Sequence, residues 1–163
     1  MKYLLEILKI LLILFLQIFV FSNLHFLSLC YPYVYILALI TLPVVPRWGE
    51  LLIGCTIGLV MDICCSTPGV NMASCVLVSY LRPIMLAHLV QDHERISGEI
   101  NALSLGTAPF LKLSLLLCAI HHLVIFLLDA WSFADFHLTL LRWLVSTLIS
   151  LVFILAYGFR KSL

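Results

Sequence analysis

The chain has 163 residues, of which 64% are hydrophobic and only 10% are charged, and its mean hydropathy is +1.19. A soluble globular domain carries roughly 25% charged residues, so this composition excludes that class and predicts an integral membrane protein. The formal net charge of +1 comes without a basic cluster. Nucleic-acid binding is therefore not expected.

Apolar runs separated by short polar segments predict six transmembrane helices in a single domain, residues 1–163. The first run is interrupted only by Glu6, Lys9 and Gln17, and no small-x-small cleavage site follows it, so we expect an uncleaved helix. The second and third runs are short and could form one re-entrant hairpin, which would leave five spans. The expected spans are residues 4–21, 32–45, 51–65, 70–89, 110–128 and 138–159.

The placement of basic residues predicts the orientation. With the N-terminus inside, eight of the 9 Lys and Arg residues fall at or near the cytoplasmic side, and only Arg142 falls toward the outside. Two cytoplasmic termini require an even number of spans, which favours six over five. The longest polar segment, residues 91–107, would then be cytoplasmic, either as a solvated connector or as a short amphipathic helix with Ile96, Ile100 and Leu103 on one face.

An aspartate, Asp62, lies at the end of the apolar stretch G-C-T-I-G-L-V-M-D, and a turn containing Pro68 and Gly69 follows it. A carboxylate at a helix centre costs roughly 2.5–3.5 kcal/mol on insertion scales, so Asp62 needs a partner or a role. Gly54 and Gly58 share one helix face and permit another backbone to approach closely. Two interpretations remain open: a packing seam in which Asp62 caps the following turn, or a specific functional role.

Besides Lys9 in the first span, three basic residues fall within predicted spans. Arg82, which precedes Pro83, and Lys112 lie near the cytoplasmic side, where each side chain can snorkel to the headgroups. Arg142 lies about one turn inside the outer end of the last span, at roughly the depth of Asp62. An Asp62–Arg142 pair would satisfy both charges, although Asp129 or Asp135 could pair with Arg142 instead.

Cysteine and histidine patterns do not indicate a metal centre. Adjacent His121 and His122 are about 100° apart on a helix and cannot easily bind one ion. One of them, with His122 as the candidate, is expected to hydrogen-bond a neighbouring helix rather than relay protons. Motifs for nucleophilic catalysis are also absent, so we expect neither an enzyme nor a cofactor. The 6 cysteines occur without a C-x-x-C pair, at Cys30, Cys55, Cys64, Cys65, Cys75 and Cys118.

The order of several short motifs resembles the rod-shape-determining MreD family, in its Bacteroidota-type form. The first group reads R-W from Arg47, G-x-x-x-G-L-x-x-D from Gly54 to Asp62, T-P-G ending at Gly69, and Y-L-R-P around Arg82. The second group contains the His121-His122 pair and L-L-R ending at Arg142, with S-T farther on. The resemblance covers nearly the whole chain and rests on the order and spacing of these motifs.

The resemblance implies a non-catalytic scaffold of the cell-elongation complex in the bacterial inner membrane, which regulates cell shape and lateral peptidoglycan synthesis. Its implied direct partner is the bitopic protein MreC, and its indirect partners are MreB filaments and the elongation glycosyltransferase–transpeptidase pair, in a setting of membrane lipids. The implied fold is a compact six-helix bundle similar to the substrate-binding subunits of energy-coupling-factor transporters. The alternatives are a small-molecule-binding transporter subunit, which needs polar and aromatic residues converging at the outer helix ends, and an intramembrane enzyme.

Overall fold

The computed structural model describes residues 2–23, 31–90, 98–130 and 136–160, and the regular structure within these ranges is entirely helical. A single 3-10 turn follows the first helix at Phe21–Asn23. The α-helices in chain order are α1 (Lys2–Phe19), α2 (Ile36–Ile40), α3 (Arg47–Cys65), α4 (Val70–Leu89), α5 (Ala102–Leu105), α6 (Thr107–Asp129) and α7 (Phe136–Arg160).

Four of these helices are long and apolar enough to cross a membrane: α3, α4, α6 and α7. The chain is thus an all-helical membrane protein. The fifth long helix, α1, has 18 residues but includes three charged ones, Lys2, Glu6 and Lys9. Its mean apolar character is high, and most of its leucines are exposed on the bundle surface.

The predicted helix over 32–45 is wrong in its extent, because α2 has only 5 residues. At 1.5 Å per residue, α2 is about 8 Å long and covers only part of a hydrocarbon core. Pro43 and Pro46 cannot donate backbone hydrogen bonds, and each favours an extended conformation in the residue before it. The segment 31–46, which we call the inner segment, is buried from Val34 to Leu42.

The long helices pack in sequence around the inner segment. α3 lies along α4, α4 along α6, and α6 along α7, while α1 makes lighter contact with α2 and α3. The core between them is filled by apolar side chains, which include Ile57, Met61, Val78, Phe110 and Leu113. The inner segment therefore has helices around it rather than lipid.

Contacts at Glu99 place the first half of α1 and the end of α7 at the same end of the bundle. Its carboxylate accepts hydrogen bonds from Lys9 Nζ at 3.2 Å and from the Tyr157 hydroxyl at 2.9 Å. Beside it, the backbone N–H of Ile100 donates to the Thr41 carbonyl at 3.2 Å. We call this the Glu99 end, and the opposite end, where α3 turns into α4, the Asp62 end.

The polar segment 91–107 is described only from Gly98 onward, so the predicted face with Ile96 lies outside the described residues. Within the described part, Ile100 is buried and Leu103 is exposed. The only helix there is α5, with 4 residues. The Asn101 side chain caps it by accepting from the backbone N–H groups of Leu103 and Ser104.

Candidate functional site

Gly54 and Gly58 form the seam where α3 meets α4. A β-carbon at Gly54 would lie 2.9 Å from the Cys75 carbonyl oxygen, and one at Gly58 would lie 2.8 Å from the Asn71 carbonyl oxygen. Real β-carbons do not approach backbone atoms this closely. Both positions therefore require glycine for the two helices to keep their separation.

Asp62 caps the N-terminus of α4 across the intervening turn. Its Oδ1 accepts from the Asn71 backbone N–H at 2.9 Å, and its Oδ2 accepts from that of Met72 at 3.0 Å. The Thr67 hydroxyl donates to Oδ1 as well, at 2.9 Å. Gly69, the residue before α4, has no side chain to serve as a cap and adopts φ +83°. Asp62 supplies the missing acceptor and places negative charge at the positive end of the helix dipole.

The predicted ion pair between Asp62 and Arg142 is not formed. The ion pairs of the described residues do not include one between these two side chains. Arg142 is half-buried, and its Nε has no hydrogen-bond partner among the described residues. The carboxylate of Asp62 is instead satisfied locally, because the turn brings the N–H groups of α4 to it. The ion pairs of the described residues do not include one between Asp129 and Arg142 either, and Asp135 lies outside the described residues.

A row of polar side chains leads from Asp62 into the core. Asn71 Nδ2 donates to Asp62 Oδ1 at 3.1 Å, the Tyr35 hydroxyl donates to Asn71 Oδ1 at 2.8 Å, and Tyr35 lies 2.9 Å from His121 Nε2. Asn71, Tyr35 and His121 are all buried. The row therefore joins α3, α4, the inner segment and α6 through polar contacts.

Counting hydrogens along this row fixes the direction of each bond. The two Nδ2 hydrogens of Asn71 go to Asp62 and to the Thr67 hydroxyl oxygen, which leaves Asn71 Oδ1 as an acceptor for Tyr35. Since Tyr35 has one hydroxyl hydrogen, His121 must donate to it from Nε2. Neutral His121 then carries an acceptor at Nδ1, for which the described residues provide no donor.

His122 makes a second link, from α6 to α7. Its Nδ1 is 2.8 Å from the Cys118 carbonyl oxygen, so Nδ1 carries the hydrogen, and Nε2 accepts from the Ser150 hydroxyl at 3.0 Å. The sequence predicts that one histidine faces the bundle, whereas His121 and His122 are both buried and both form hydrogen bonds. Their ring centroids are 5.5 Å apart.

Gln17 forms hydrogen bonds with backbone groups of the inner segment before α2. Its Oε1 accepts from the backbone N–H groups of Val34 at 2.8 Å and Tyr35 at 3.2 Å, and its Nε2 donates to the Pro32 carbonyl at 3.0 Å. A buried backbone that is not helical must find such partners, because lipid and core offer none. One amide side chain thus replaces the helical bonds that this stretch lacks.

Arg82 forms hydrogen bonds with backbone carbonyls at the other end of α2, in the same inner segment. The prediction that its side chain snorkels to the headgroups is therefore wrong. Its side chain is 1% exposed, and its Nη1 donates to Glu50 Oε1 at 2.7 Å, a partner that is 2% exposed. Nη2 also donates to the Leu42 carbonyl, and Nε to that of Ile40 at 3.4 Å. The Arg82 side chain points inward because the carbonyls of Ile40, at the end of α2, and of Leu42 have no helical partner. Lys112, in contrast, is exposed.

Four residues of this arrangement were missed by sequence reasoning: Gln17, Tyr35, Glu50 and Asn71. Gln17 carried a usable signal, as a lone amide within an apolar run. Glu50 directly precedes the predicted span 51–65, and the sequence does not show that the inner segment ends close to it. Tyr35 and Asn71 carried no signal, since their contacts depend on tertiary packing.

Pro68 is the remaining predicted site residue. It is exposed in the turn between α3 and α4, where it lines a surface hollow of about 430 Å³ together with Asp62, Gly69 and Met72. Among the described residues, no group of three His, Cys, Asp or Glu side chains lies close enough to hold a metal ion. Searches against protein-family models, curated proteins and solved structures find no match to this chain.

Proposed function

We propose that this chain is a non-catalytic scaffold of the bacterial cell-elongation complex, with the role of the MreD family. The observation that carries the proposal is the order of the R-W, G-x-x-x-G-L-x-x-D, T-P-G and Y-L-R-P motifs. In this role the chain binds the bitopic protein MreC directly. Through it, the chain acts on MreB filaments and on the glycosyltransferase–transpeptidase pair that builds lateral peptidoglycan.

The structural roles of these motif residues support the proposal. Gly54 and Gly58 set the spacing of α3 and α4, Asp62 caps α4, and Arg82 holds the carbonyl of Leu42. A scaffold needs a fixed shape more than a reactive group. Residues that fix the helices relative to one another fit this requirement.

The inner segment favours a scaffold over the transporter subunit. Transporters with broken helices use the free helix ends to bind substrate and ions. Here Gln17 occupies the backbone N–H groups before α2, and Arg82 occupies the carbonyls after it. The protein thus fills with its own side chains the positions that a transporter leaves to its cargo.

In the proposed arrangement the chain crosses the inner membrane six times, and the inner segment is the second crossing. The Glu99 end, with both chain termini, faces the cytoplasm, as the excess of basic residues indicates. The fold would then be similar to the substrate-binding subunits of energy-coupling-factor transporters.

Isolation of the tagged chain from its native membranes in mild detergent tests the proposal. MreC should co-purify in a fixed ratio, and an unrelated tagged multi-pass protein from the same membranes should not retain it. Retention of a small molecule without MreC would contradict the scaffold and support the transporter subunit.

A further inference from the structure

An apolar groove runs between α1 and α7 on the outside of the bundle. It has a volume of about 510 Å³, and its walls and floor include Leu5, Leu8, Leu12, Leu16, Phe153 and Leu37. The four leucines recur at i, i+3, i+7 and i+11, which places them on one face of α1. We call this the α1–α7 groove.

The way α1 is attached leaves the groove open. On the bundle side it buries Ile13, Leu14 and Gln17, and polar bonds hold it near its middle, through Lys9 to Glu99, and near its C-terminal end, through Gln17 to the inner segment. The leucine face toward α7 stays exposed, with Leu12 at 58%. The other wall of the groove, α7, is long and apolar enough to cross a membrane, so lipid tails can reach the groove.

One end of the groove carries positive charge. Arg160 lines it in the last turn of α7 and is exposed, and no partner for its guanidinium occurs among the described residues. Lys9 and Tyr157 also line the groove, but both are already bonded to Glu99. Arg160 is thus available to an external anion, and its planar fork of donors matches a phosphate.

We propose that the α1–α7 groove binds an anionic phospholipid, with one acyl chain along the leucine face of α1 and the phosphate on Arg160. The four leucines run for about 16 Å along α1, close to the half-thickness of a bilayer core of about 30 Å. The positive charge of Arg160 at one end of the groove and the apolar face along the rest of it therefore match the headgroup and the acyl chain of a lipid in one leaflet. This inference does not depend on the proposed role in cell elongation.

The experiment is native mass spectrometry of the delipidated full chain, titrated with dioleoyl phosphatidylglycerol or with dioleoyl phosphatidylcholine. Wild type should bind one phosphatidylglycerol more tightly than further copies and more tightly than phosphatidylcholine. Leu12→Trp, which fills the groove, should abolish this tight site. Leu4→Trp is the control, because Leu4 on the same helix is also exposed, at 68%, and lines no part of the groove.

The headgroup contact is tested by Arg160→Gln, which should weaken phosphatidylglycerol about tenfold, the effect of losing one charge-assisted hydrogen bond. It should weaken phosphatidylcholine less, because the choline cation offsets the charge of that lipid's phosphate. Its control is Arg47→Gln, because Arg47 is exposed at the same end of the bundle and outside the groove. All these positions are on the surface, and unchanged gel-filtration profiles verify folding. Equal losses in Leu12→Trp and Leu4→Trp, or binding by Leu12→Trp as in wild type, would overturn the proposal. The proposal would also be overturned if the Leu12→Trp variant still bound the lipid but no longer bound the transmembrane helix of a partner protein.

Discussion

Arg82 on α4 and Glu50 on α3 form an ion pair of 2.7 Å in which both side chains are almost fully buried. The same guanidinium also donates to backbone carbonyls of the inner segment. A buried charge pair of this kind contributes little net stability, but the loss of one partner leaves the other charge without compensation. The pair therefore fixes which surfaces of three elements can meet.

Removal of either charge from this pair should destabilise the protein strongly. We expect Arg82→Met and Glu50→Met each to cost about 3–5 kcal/mol, and the double variant to recover part of the loss, because no charge is then stranded. The recovery should be incomplete, since Leu42 and Ile40 still lose a donor. Thermal unfolding in detergent measures the stability of each variant, and Arg47→Met is the control at an exposed position. A double variant less stable than either single variant would contradict the account.

The seam between α3 and α4 should reject even the smallest side chain. Gly58→Ala places a β-carbon 2.8 Å from the Asn71 carbonyl oxygen, so the helices must separate. Gly54→Leu and Gly58→Leu should reduce the amount of folded protein further. Gly49→Ala is the matched control, because its β-carbon would meet only the Val45 side chain, at 3.9 Å or more. Folded yield by fluorescence-detected gel filtration gives the comparison, and equal yields for Gly49→Ala and Gly58→Ala would show that the seam is not tight.

Asp62 should act through the cap on α4 and independently of Arg142. Asp62→Ala should cost about 1–2 kcal/mol or more, since it removes a helix cap and strands the Asn71 amide. In a double-mutant cycle with Arg142→Ala, the two losses should add within about 0.5 kcal/mol. Thermal unfolding of the four proteins measures the coupling. Recovery of stability in the double variant would instead support the Asp62–Arg142 ion pair predicted from the sequence.

Sequence reasoning located the long helices well, because long apolar runs bounded by proline, glycine and charge leave little choice. The bounds of α3 and α4 agree with expectation within a few residues. It failed at the inner segment, where Ile36–Ile40 is helical and the flanking residues are not. The tertiary bonds from Gln17 and Arg82 decide that conformation, and the sequence does not show which backbone groups these two side chains reach. Of the two interpretations of Asp62, the capping one describes its contacts.

The orientation of the bundle can be measured with single cysteines in a cysteine-free background. Leu103→Cys at the Glu99 end should resist an impermeant thiol reagent in intact spheroplasts and react after permeabilisation, because the excess of basic residues predicts that this end is cytoplasmic. His137→Cys, at the start of α7 and at the opposite end, should react in both conditions. Both native residues are exposed. The reverse pattern of labelling would invert the proposed orientation.

Depletion of this chain in the bacterium that carries it tests the proposed role most directly. If the chain is a scaffold of the elongation complex, rods should become round as the protein is lost, and peptidoglycan insertion along the side wall should fall. Wild-type protein should restore both, and Gly58→Leu should not, since the seam between α3 and α4 would be broken. Cells that keep their rod shape and side-wall synthesis after complete depletion would contradict the proposal.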